Sequence, residues 1–323
     1  MAPDRLPSLI QAGTRVLVCG GGGFIASHLL PLLEERRADL RIQELPDYAA
    51  RLERFPQSAI LPGSLLDPDV QEAIRAFDPE VVFNLSGYTD QSHSRDNDDR
   101  QEREHFAAAR GLARAVFPEP GATSLRRWVQ TGSNEEYGHN PIPHREDQAP
   151  APVSAYSVAK AAATLYVRML HQSQGCPVVV VRPFVVYGPG QSRGLVPFAV
   201  RAALEDRAFD TTEGTQCRDF VYVEDIARGF LAAGDTPGVD GEIFNLGSGV
   251  ETPIRELLKT CCRLAGGGRP NFGAIPLREG EILRMQADIT KAGRLLGWQP
   301  EVSLEEGLQR MIEAFRSAPA ASS

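Results

Sequence analysis

A tyrosine and a lysine four positions apart could carry acid–base chemistry in this chain. Tyr156 and Lys160 fall in a stretch with helical periodicity, so they share one face of the helix. A lysine charge beside a phenol stabilises the phenolate and lowers the tyrosine pKa toward the range of a general base. Ser133 follows a predicted strand, where its hydroxyl could orient the substrate oxygen. Taken alone, these residues could equally be a surface pair and a turn serine.

A glycine-rich turn earlier in the chain is typical of a dinucleotide site. Gly20, Gly23 and Ala26 occupy the small positions of G-x-x-G-x-x-[GA], between a predicted strand and a predicted helix. The first glycine permits a tight turn, the second lets backbone approach a pyrophosphate, and the third small residue lets helix and sheet pack closely. Glu44, at the end of the next strand, would bind ribose hydroxyls and repel a 2′-phosphate. We therefore expect NAD, unless Glu44 merely faces water.

Alternating strands and helices must position these residues. Apolar, β-rich runs predict strands over residues 14–19, 40–45, 58–61, 80–85, 125–130 and 177–183. Helical periodicity predicts helices over residues 70–77, 106–117 and 155–171. The polar segment 88–104 is interpreted as a solvated loop and helix face. The alternation predicts an α/β fold, a Rossmann-type doubly wound parallel sheet with helices on both faces.

The pattern changes beyond residue 186, where segments shorten and glycine and proline become frequent. We expect residues 1–186 to form an NAD-binding Rossmann domain that carries the catalytic residues. Residues 187–323 are expected to be mostly a smaller C-terminal substrate-binding lobe, with some segments returning to the Rossmann sheet. A length of 323 residues agrees with two joined lobes, because it exceeds the usual size of one compact core.

Composition excludes several classes of function. A formal net charge of −8 argues against a nucleic-acid partner, although a few placed arginines can still hold a diphosphate. No stretch approaches the roughly 20 apolar residues of a membrane span, and residues 1–10 do not resemble a signal peptide. The five cysteines form no Cys-x-x-Cys pair, which argues against a metal site and a disulfide framework. We therefore expect a cytoplasmic protein without a membrane partner or a bound metal.

Several motifs in collinear order resemble the extended short-chain dehydrogenase/reductase family, and within it the sugar-nucleotide epimerase/dehydratase branch. They are the turn Gly20–Ala26, TGSNEEYG at 131–138, Tyr156–Lys160, RPFVVYGPGQ at 182–191, RDFVYVED at 218–225 and ADITKAGRLLGWQP at 287–300. The resemblance implies a Rossmann-type lobe, bound NAD and a nucleoside-diphosphate sugar between the lobes. It also implies a homodimer, formed through the two longest predicted helices.

The resemblance also implies roles for individual residues. Ser133, Tyr156 and Lys160 would be the catalytic triad, with Tyr156 and Lys160 also contacting the cofactor. Arg218 and Arg278 would hold the substrate diphosphate, since guanidinium groups suit phosphate. Further positions expected to line the cofactor are Phe24, Ile25, Ser64, Leu65, Leu85 and Ser86, and further positions expected to line the substrate are Asn134 and Val196.

The chain departs from the family pattern at three positions. Val185 stands where the family often has asparagine, and Ser64 stands where an aspartate reads the adenine. His105 stands where an asparagine usually precedes the fourth helix. These departures concern contacts with substrate and adenine, and they leave the hydride chemistry unchanged.

The residues after Ser133 bear on which family reaction is expected. Most family reactions begin or end with hydride transfer at C4 of the hexose. A 4,6-dehydratase also needs an acid and a base; Glu135 could be the base, but Asn134 is a poor proton donor. The segment SNEEYG resembles GDP-4-keto-6-deoxymannose reductases, whereas Glu44 favours the retained NAD of a C4 epimerase. These two reactions are preferred to the dehydratase, and a non-catalytic NAD-binding sensor is a remote alternative.

Overall fold

The computed structural model describes residues 8–88, 94–119, 121, 123–278 and 280–317. Within these residues twelve strands form three sheets. The strands are β1 Arg15–Cys19, β2 Asp39–Glu44, β3 Ile60–Pro62, β4 Val81–Asn84, β5 Arg127–Thr131, β6 Val178–Pro183, β7 Val185–Tyr187, β8 Ala208–Thr211, β9 Cys217–Tyr222, β10 Ile243–Leu246, β11 Glu251–Pro253 and β12 Arg269–Phe272.

Helices alternate with the strands. They are α1 Phe24–Glu35, α2 Pro46–Ala49, α3 Pro68–Phe77, α4 Arg95–Gln101, α5 Ala108–Val116, α6 Ala155–Gln174, α7 Leu195–Leu204, α8 Val223–Asp235, α9 Ile254–Ala265, α10 Thr290–Leu296 and α11 Leu304–Ser317. A π-helical segment, Glu102–Ala107, joins α4 to α5 in one continuous run. Across the part of the chain that the structure describes, no helix combines the length and apolar character needed to cross a membrane.

Seven strands form the main sheet in the order β10-β6-β5-β4-β1-β2-β3. Every neighbouring pair in it is parallel. The chain order reverses between β1 and β4, and such a point in an open α/β sheet leaves a crevice at the carboxyl ends of the strands. The predicted Rossmann-type fold is therefore confirmed, and its crevice lies beyond the ends of β1 and β4.

Apolar cores on both faces hold the main sheet rigid. Along β1, Val16 and Val18 pack into one core with side chains of α1 and α8. Leu17 and Cys19 face the opposite way and pack with side chains of α3, α5 and α6. Alternate side chains of a strand point to opposite faces, so a sheet covered on both sides needs strands that are apolar throughout. Burial on both faces fixes the strand ends that carry the site.

A third apolar core lies in the smaller lobe, among α7, α9, α11 and β9. Strand β9 pairs in parallel with β7 and antiparallel with β11, while β8 pairs with β12. Strand β10 instead joins the main sheet beside β6. The division between residues 186 and 187 stays a prediction, since β7 spans it and β10 crosses back over it.

The predicted start of a helix at residue 106 is wrong, because the helical run begins earlier, with α4. Asn97, Gln101 and His105 lie four residues apart in this run, and their side chains are buried. A buried polar stripe produces no apolar periodicity, which is why the segment 88–104 was interpreted as a solvated loop and helix face. Residues 89–93 of that segment lie outside the described residues.

Candidate active site

The turn after β1 has the geometry of a dinucleotide-binding turn. Gly20 adopts a φ of +74°, and a Cβ there would lie 2.8 Å from the backbone of Ser86, so only glycine fits. Gly23 donates its N–H to the Gly20 carbonyl at 3.1 Å and is the N-cap of α1. Ala26, at the third small position, is buried. Because α1 has no side-chain cap and no acidic residue in its first turn, its N-terminus suits the diphosphate of a dinucleotide.

Glu44 ends β2 beside this turn, where the backbone holds its carboxylate. One oxygen accepts the Gly22 N–H at 2.7 Å and the other accepts the Leu45 N–H at 2.7 Å. Burial raises the pKa of Glu44, and the two hydrogen bonds act in the opposite direction. The side chain is buried rather than facing water. Its position fits a ribose hydroxyl acceptor and opposes a 2′-phosphate, as NAD requires.

The other positions predicted to line the cofactor fall into two groups. Four of them surround the glycine turn, at the start of α1 or after β4: Phe24, Ile25, Leu85 and Ser86. Two follow β3 at the edge of the sheet: Ser64 and Leu65. Leu65 is buried, and Ser64 forms a local turn in which its N–H is donated to Asp67 at 2.7 Å. The structure therefore gathers the first group at the turn and engages Ser64 locally.

Ser133, Tyr156 and Lys160 come together at the carboxyl end of β5. Buried Lys160 donates to the Thr131 carbonyl at 3.2 Å, and its Nζ lies 5.9 Å from the centre of the Tyr156 ring. Burial raises the pKa of the Tyr156 phenol, and the nearby Ser133 hydroxyl acts in the opposite direction. The Thr131 hydroxyl donates to the Asn84 carbonyl at 2.7 Å, which ties the ends of β5 and β4 together. Since β4 ends beside the glycine turn, all three side chains adjoin the crevice.

The expectation of a lowered tyrosine pKa is wrong, because burial outweighs any effect of the lysine charge. Burial raises the pKa of Tyr156 above its usual range, and the charge of Glu135 adds to the rise. Burial also lowers the pKa of Lys160 to about 8, so that a neutral amine is accessible just above neutral pH. The physical reason is that removal from water disfavours both the phenolate and the ammonium.

Glu136, which sequence reasoning missed, fixes the position of Ser133. One carboxylate oxygen accepts the Ser133 N–H at 2.8 Å and the Thr164 hydroxyl at 3.0 Å. The other accepts two hydrogen bonds from the guanidinium of Arg182, at 3.0 and 2.7 Å. Ser133 and Glu136 form a reciprocal capping box on the short helical turn Asn134–Tyr137. The Ser-x-x-Glu spacing is the signal that could have revealed this role.

Asn134 and Glu135, the two residues that bear on dehydration, have different surroundings. Buried Asn134 donates its amide to the Met285 sulfur at 3.0 Å, and its oxygen lies 3.4 Å from the Ser133 hydroxyl. Glu135 is half-buried, and its charge reaches the Tyr156 phenol strongly enough to raise that pKa. Met285 was not predicted at the site, since no local motif connects it to Ser133.

His105, in the π-helical segment, packs against Tyr156. The rings of His105 and Tyr156 meet edge to face, with centroids 5.2 Å apart. The Nε2 atom lies 2.9 Å from the Tyr88 carbonyl, and burial lowers the His105 pKa to about 3, with the Lys160 charge acting the same way. Gly87 makes room for this ring, because a Cβ there would overlap it. His105 therefore lines the site as an uncharged imidazole that packs against Tyr156.

The structure brings together fewer of the residues predicted to contact the substrate than of those predicted to contact the cofactor. Arg218, in β9, forms an ion pair with Glu281 and donates to the Cys217 carbonyl at 2.9 Å. Arg278 precedes Glu281 in the same segment and is exposed. Val196 is only 2% exposed and lies in the apolar core of the smaller lobe. The structure thus brings Arg218 to the segment that carries Arg278 but buries the Val196 side chain.

Fold and site together define a nicotinamide-dependent enzyme. The glycine turn after β1, the Glu44 carboxylate and the serine–tyrosine–lysine group adjoin one crevice of a doubly wound sheet, where open α/β sheets bind their ligands. The chain belongs to the NAD dependent epimerase/dehydratase family, whose model matches residues 16–247. It is therefore an enzyme that uses NAD to modify a nucleoside-diphosphate sugar.

Named proteins resemble the chain along nearly its whole length. A UDP-glucose 4-epimerase of Mycolicibacterium smegmatis is 31% identical over 316 residues, which cover 94% of this chain and 99% of the relative. The structure of a UDP-glucose 4-epimerase of Thermotoga maritima with UDP-glucose has a TM-score of 0.83 at 29% identity, covering 94% of this chain and 99% of that one. A UDP-glucuronic acid 4-epimerase of Bacillus cereus, in complex with UDP-glucuronic acid and NAD, has a TM-score of 0.82 at 26% identity, with the same coverage. The predicted family, cofactor and enzyme class are confirmed.

Proposed function

We propose that this protein is a C4 epimerase of a nucleoside-diphosphate hexose. The observation that carries the proposal is the meeting of Ser133 and Tyr156, with Lys160 beside the phenol ring, at the strand ends next to the dinucleotide turn. Uridine diphosphate is the proposed carrier, because the three similar proteins described above are named for UDP-sugars.

Each of the three side chains has a distinct role in this reaction. Tyr156 takes the proton of the C4 hydroxyl as the C4–H bond breaks and the C4 carbonyl forms, and it returns the proton in the second half-reaction. Ser133 donates a hydrogen bond to the C4 oxygen and holds it in place. Lys160 stabilises the phenolate by its charge. Bound NAD+ supplies the hydride acceptor and donor together with a positive ring charge that favours the phenolate.

Arg218 is the proposed diphosphate contact. Its guanidinium is already paired with one carboxylate, that of Glu281, so it can exchange this partner for phosphate oxygens without burying an unpaired charge. Exposed Arg278 lies three positions before Glu281 and is a second contact available from the same segment.

Reduction of a 4-keto sugar is the second candidate, because it uses the same proton donor for one half of the cycle. What separates the two reactions is the cofactor: a reductase must exchange it after each turnover, whereas an epimerase reuses it. The buried Glu44 carboxylate favours NAD and therefore the retained cofactor of an epimerase.

A 4,6-dehydratase is the third candidate, and the reach of the Glu135 charge to Tyr156 favours it. Against it, Asn134 donates its amide to Met285 and has no proton to give to a leaving hydroxyl. An acid would therefore have to come from another residue.

Product analysis with a panel of UDP-, GDP-, CDP- and dTDP-sugars tests the proposal. We expect a product of unchanged mass with inverted configuration at C4. A gain of two hydrogens on a 4-keto sugar would assign a reductase, and a loss of water would assign a dehydratase. No reaction and no change in absorbance at 340 nm with any sugar nucleotide would support the sensor. The homodimer and the cytoplasmic location stay predictions.

A further inference from the structure

A short strap that follows β7, residues 188–191, lies on the first helix of the main sheet. The Nε2 atom of His28 is 3.0 Å from the Pro189 carbonyl oxygen. Since a carbonyl only accepts hydrogen bonds, this nitrogen carries the proton and donates it. The Phe24 ring meets the His28 ring edge to face, with centroids 5.8 Å apart, and a Cβ on Gly190 would lie 3.9 Å from the Phe24 ring. The strap therefore hydrogen-bonds to the His28 ring and lies beside the Phe24 ring.

The strap is a tight turn with its own supports. Gly188 adopts a φ of +151°, and a Cβ there would lie 2.6 Å from Val223 at the start of α8. Gln191 donates its N–H to the Gly188 carbonyl at 3.2 Å and its side-chain amide to the Val186 carbonyl at 3.4 Å. These contacts hold the turn where β7 ends, and the His28 hydrogen bond connects it to α1.

The position of the strap matters because α1 begins at the dinucleotide turn. His28 is five residues after the Gly23 N-cap, which is about 7.5 Å along a helix. The hydrogen bond from His28 to the strap thus lies within two turns of the N–H groups that suit a diphosphate. Phe24, whose ring lies beside Gly190 of the strap, is itself a predicted cofactor-lining residue.

The geometry points to His28 as a positioning residue that holds the strap across the diphosphate end of bound NAD and slows its exchange. This inference deepens the proposed function and rests on it, since a C4 epimerase must return the hydride to the sugar from the cofactor that took it. A reductase, in contrast, gains nothing from a strap that retains its cofactor.

The exchange of bound NAD tests this role without depending on turnover. Protein purified with NAD is mixed with an excess of isotopically labelled NAD, and the unlabelled fraction that remains bound is followed by mass spectrometry. For His28→Ala we expect exchange to be about three- to tenfold faster, as the loss of one hydrogen bond predicts. Ser27→Ala is the matched control, because Ser27 is exposed and its hydroxyl donates to the Phe24 carbonyl in its own helix.

A pair of amide variants keeps the test decisive if His28→Ala folds poorly. The side chain of His28→Gln can reach the Pro189 carbonyl, whereas that of His28→Asn is one methylene shorter, so we expect slower exchange in His28→Gln. Wild-type exchange in His28→Ala, or equal rates in the two amide variants, would overturn the inference. Sugar-nucleotide products are measured on the same preparations: faster exchange without epimerisation would retain the strap and refute the proposed function.

Discussion

On the side of the crevice where we expect the cofactor, backbone groups determine the shape of the site. On the side where we expect the substrate, the charged side chains are paired with other side chains or exposed. At the dinucleotide turn, the conformation of Gly20 and the backbone N–H groups on Glu44 set the site. On the other side, Arg218 is paired with Glu281 and Arg278 is exposed. From this difference we expect that NAD meets a prepared site, whereas a diphosphate that binds Arg218 must first displace the Glu281 carboxylate.

The largest expected effect comes from removing the phenol hydroxyl of Tyr156, which we propose acts on the substrate and not on NAD binding. Tyr156→Phe should lower kcat by about 10²–10⁴-fold, the range for loss of a general acid–base group. NAD content after purification should stay at the wild-type level, because the glycine turn is untouched. Steady-state kinetics and cofactor content check both outcomes.

Tyr166→Phe is the matched control for that variant, since Tyr166 lies on the same helix and packs against Phe106. It should keep wild-type kcat. Equal activity in Tyr156→Phe and wild type would remove the phenol from the mechanism.

A second prediction concerns the Glu136–Arg182 ion pair that fixes the position of Ser133. Glu136→Ala leaves buried Arg182 without its carboxylate partner, so the free energy of unfolding should fall by about 3–5 kcal/mol. Urea denaturation measures the change. Glu135→Ala, at the half-buried neighbour, should cost far less. Similar losses in the two variants would mean that Glu136 is not the residue that fixes this turn.

The substrate side can be tested through its paired arginine. Arg218→Ala should weaken sugar-nucleotide binding by roughly 1.5–3 kcal/mol, the range for hydrogen bonds to a charged group. NAD affinity should not change. Calorimetry provides both dissociation constants, and Arg284→Ala is the control, because exposed Arg284 is paired with Glu251. An unchanged sugar-nucleotide constant for Arg218→Ala would remove that residue from the site.

The smallest expected effect is the contribution of Lys160 to the pH dependence of the free energy of unfolding. Burial lowers the pKa of Lys160 from 10.5 to about 8. Between these values the unfolded chain binds more protons at this residue, so its contribution to stability rises with pH. Relative to Lys160→Met, wild type should gain roughly 1 kcal/mol between pH 7 and pH 9. Denaturation at both pH values checks this, and a constant difference would show that Lys160 keeps its ordinary pKa.

The cofactor side could be predicted from the sequence because its determinants are local. Gly20, Gly23 and Ala26 are contiguous with the strand and helix that they join, and the structure places them as expected. Glu44 ends the adjacent strand, so its place followed from the parallel pairing of β1 and β2.

The remainder of the site depends on contacts between distant segments and on burial. Met285 contacts Asn134, and Glu281 pairs with Arg218. Both Met285 and Glu281 lie in a segment whose sequence has no motif that predicts these contacts. The prediction of a lowered tyrosine pKa was wrong, because spacing along a helix shows which residues are neighbours but not how deeply a side chain is buried. The early start of α4 was missed because its buried face is polar.

Deuterium at C4 of the sugar tests the central claim most directly. UDP-glucose that carries deuterium at C4 is incubated with the protein in ordinary water, and the product is analysed by mass spectrometry and NMR. A retained cofactor that takes and returns the same hydride predicts inverted C4 configuration with the deuterium still on C4. A product that has inverted C4 but lost its deuterium to solvent would contradict hydride transfer through NAD.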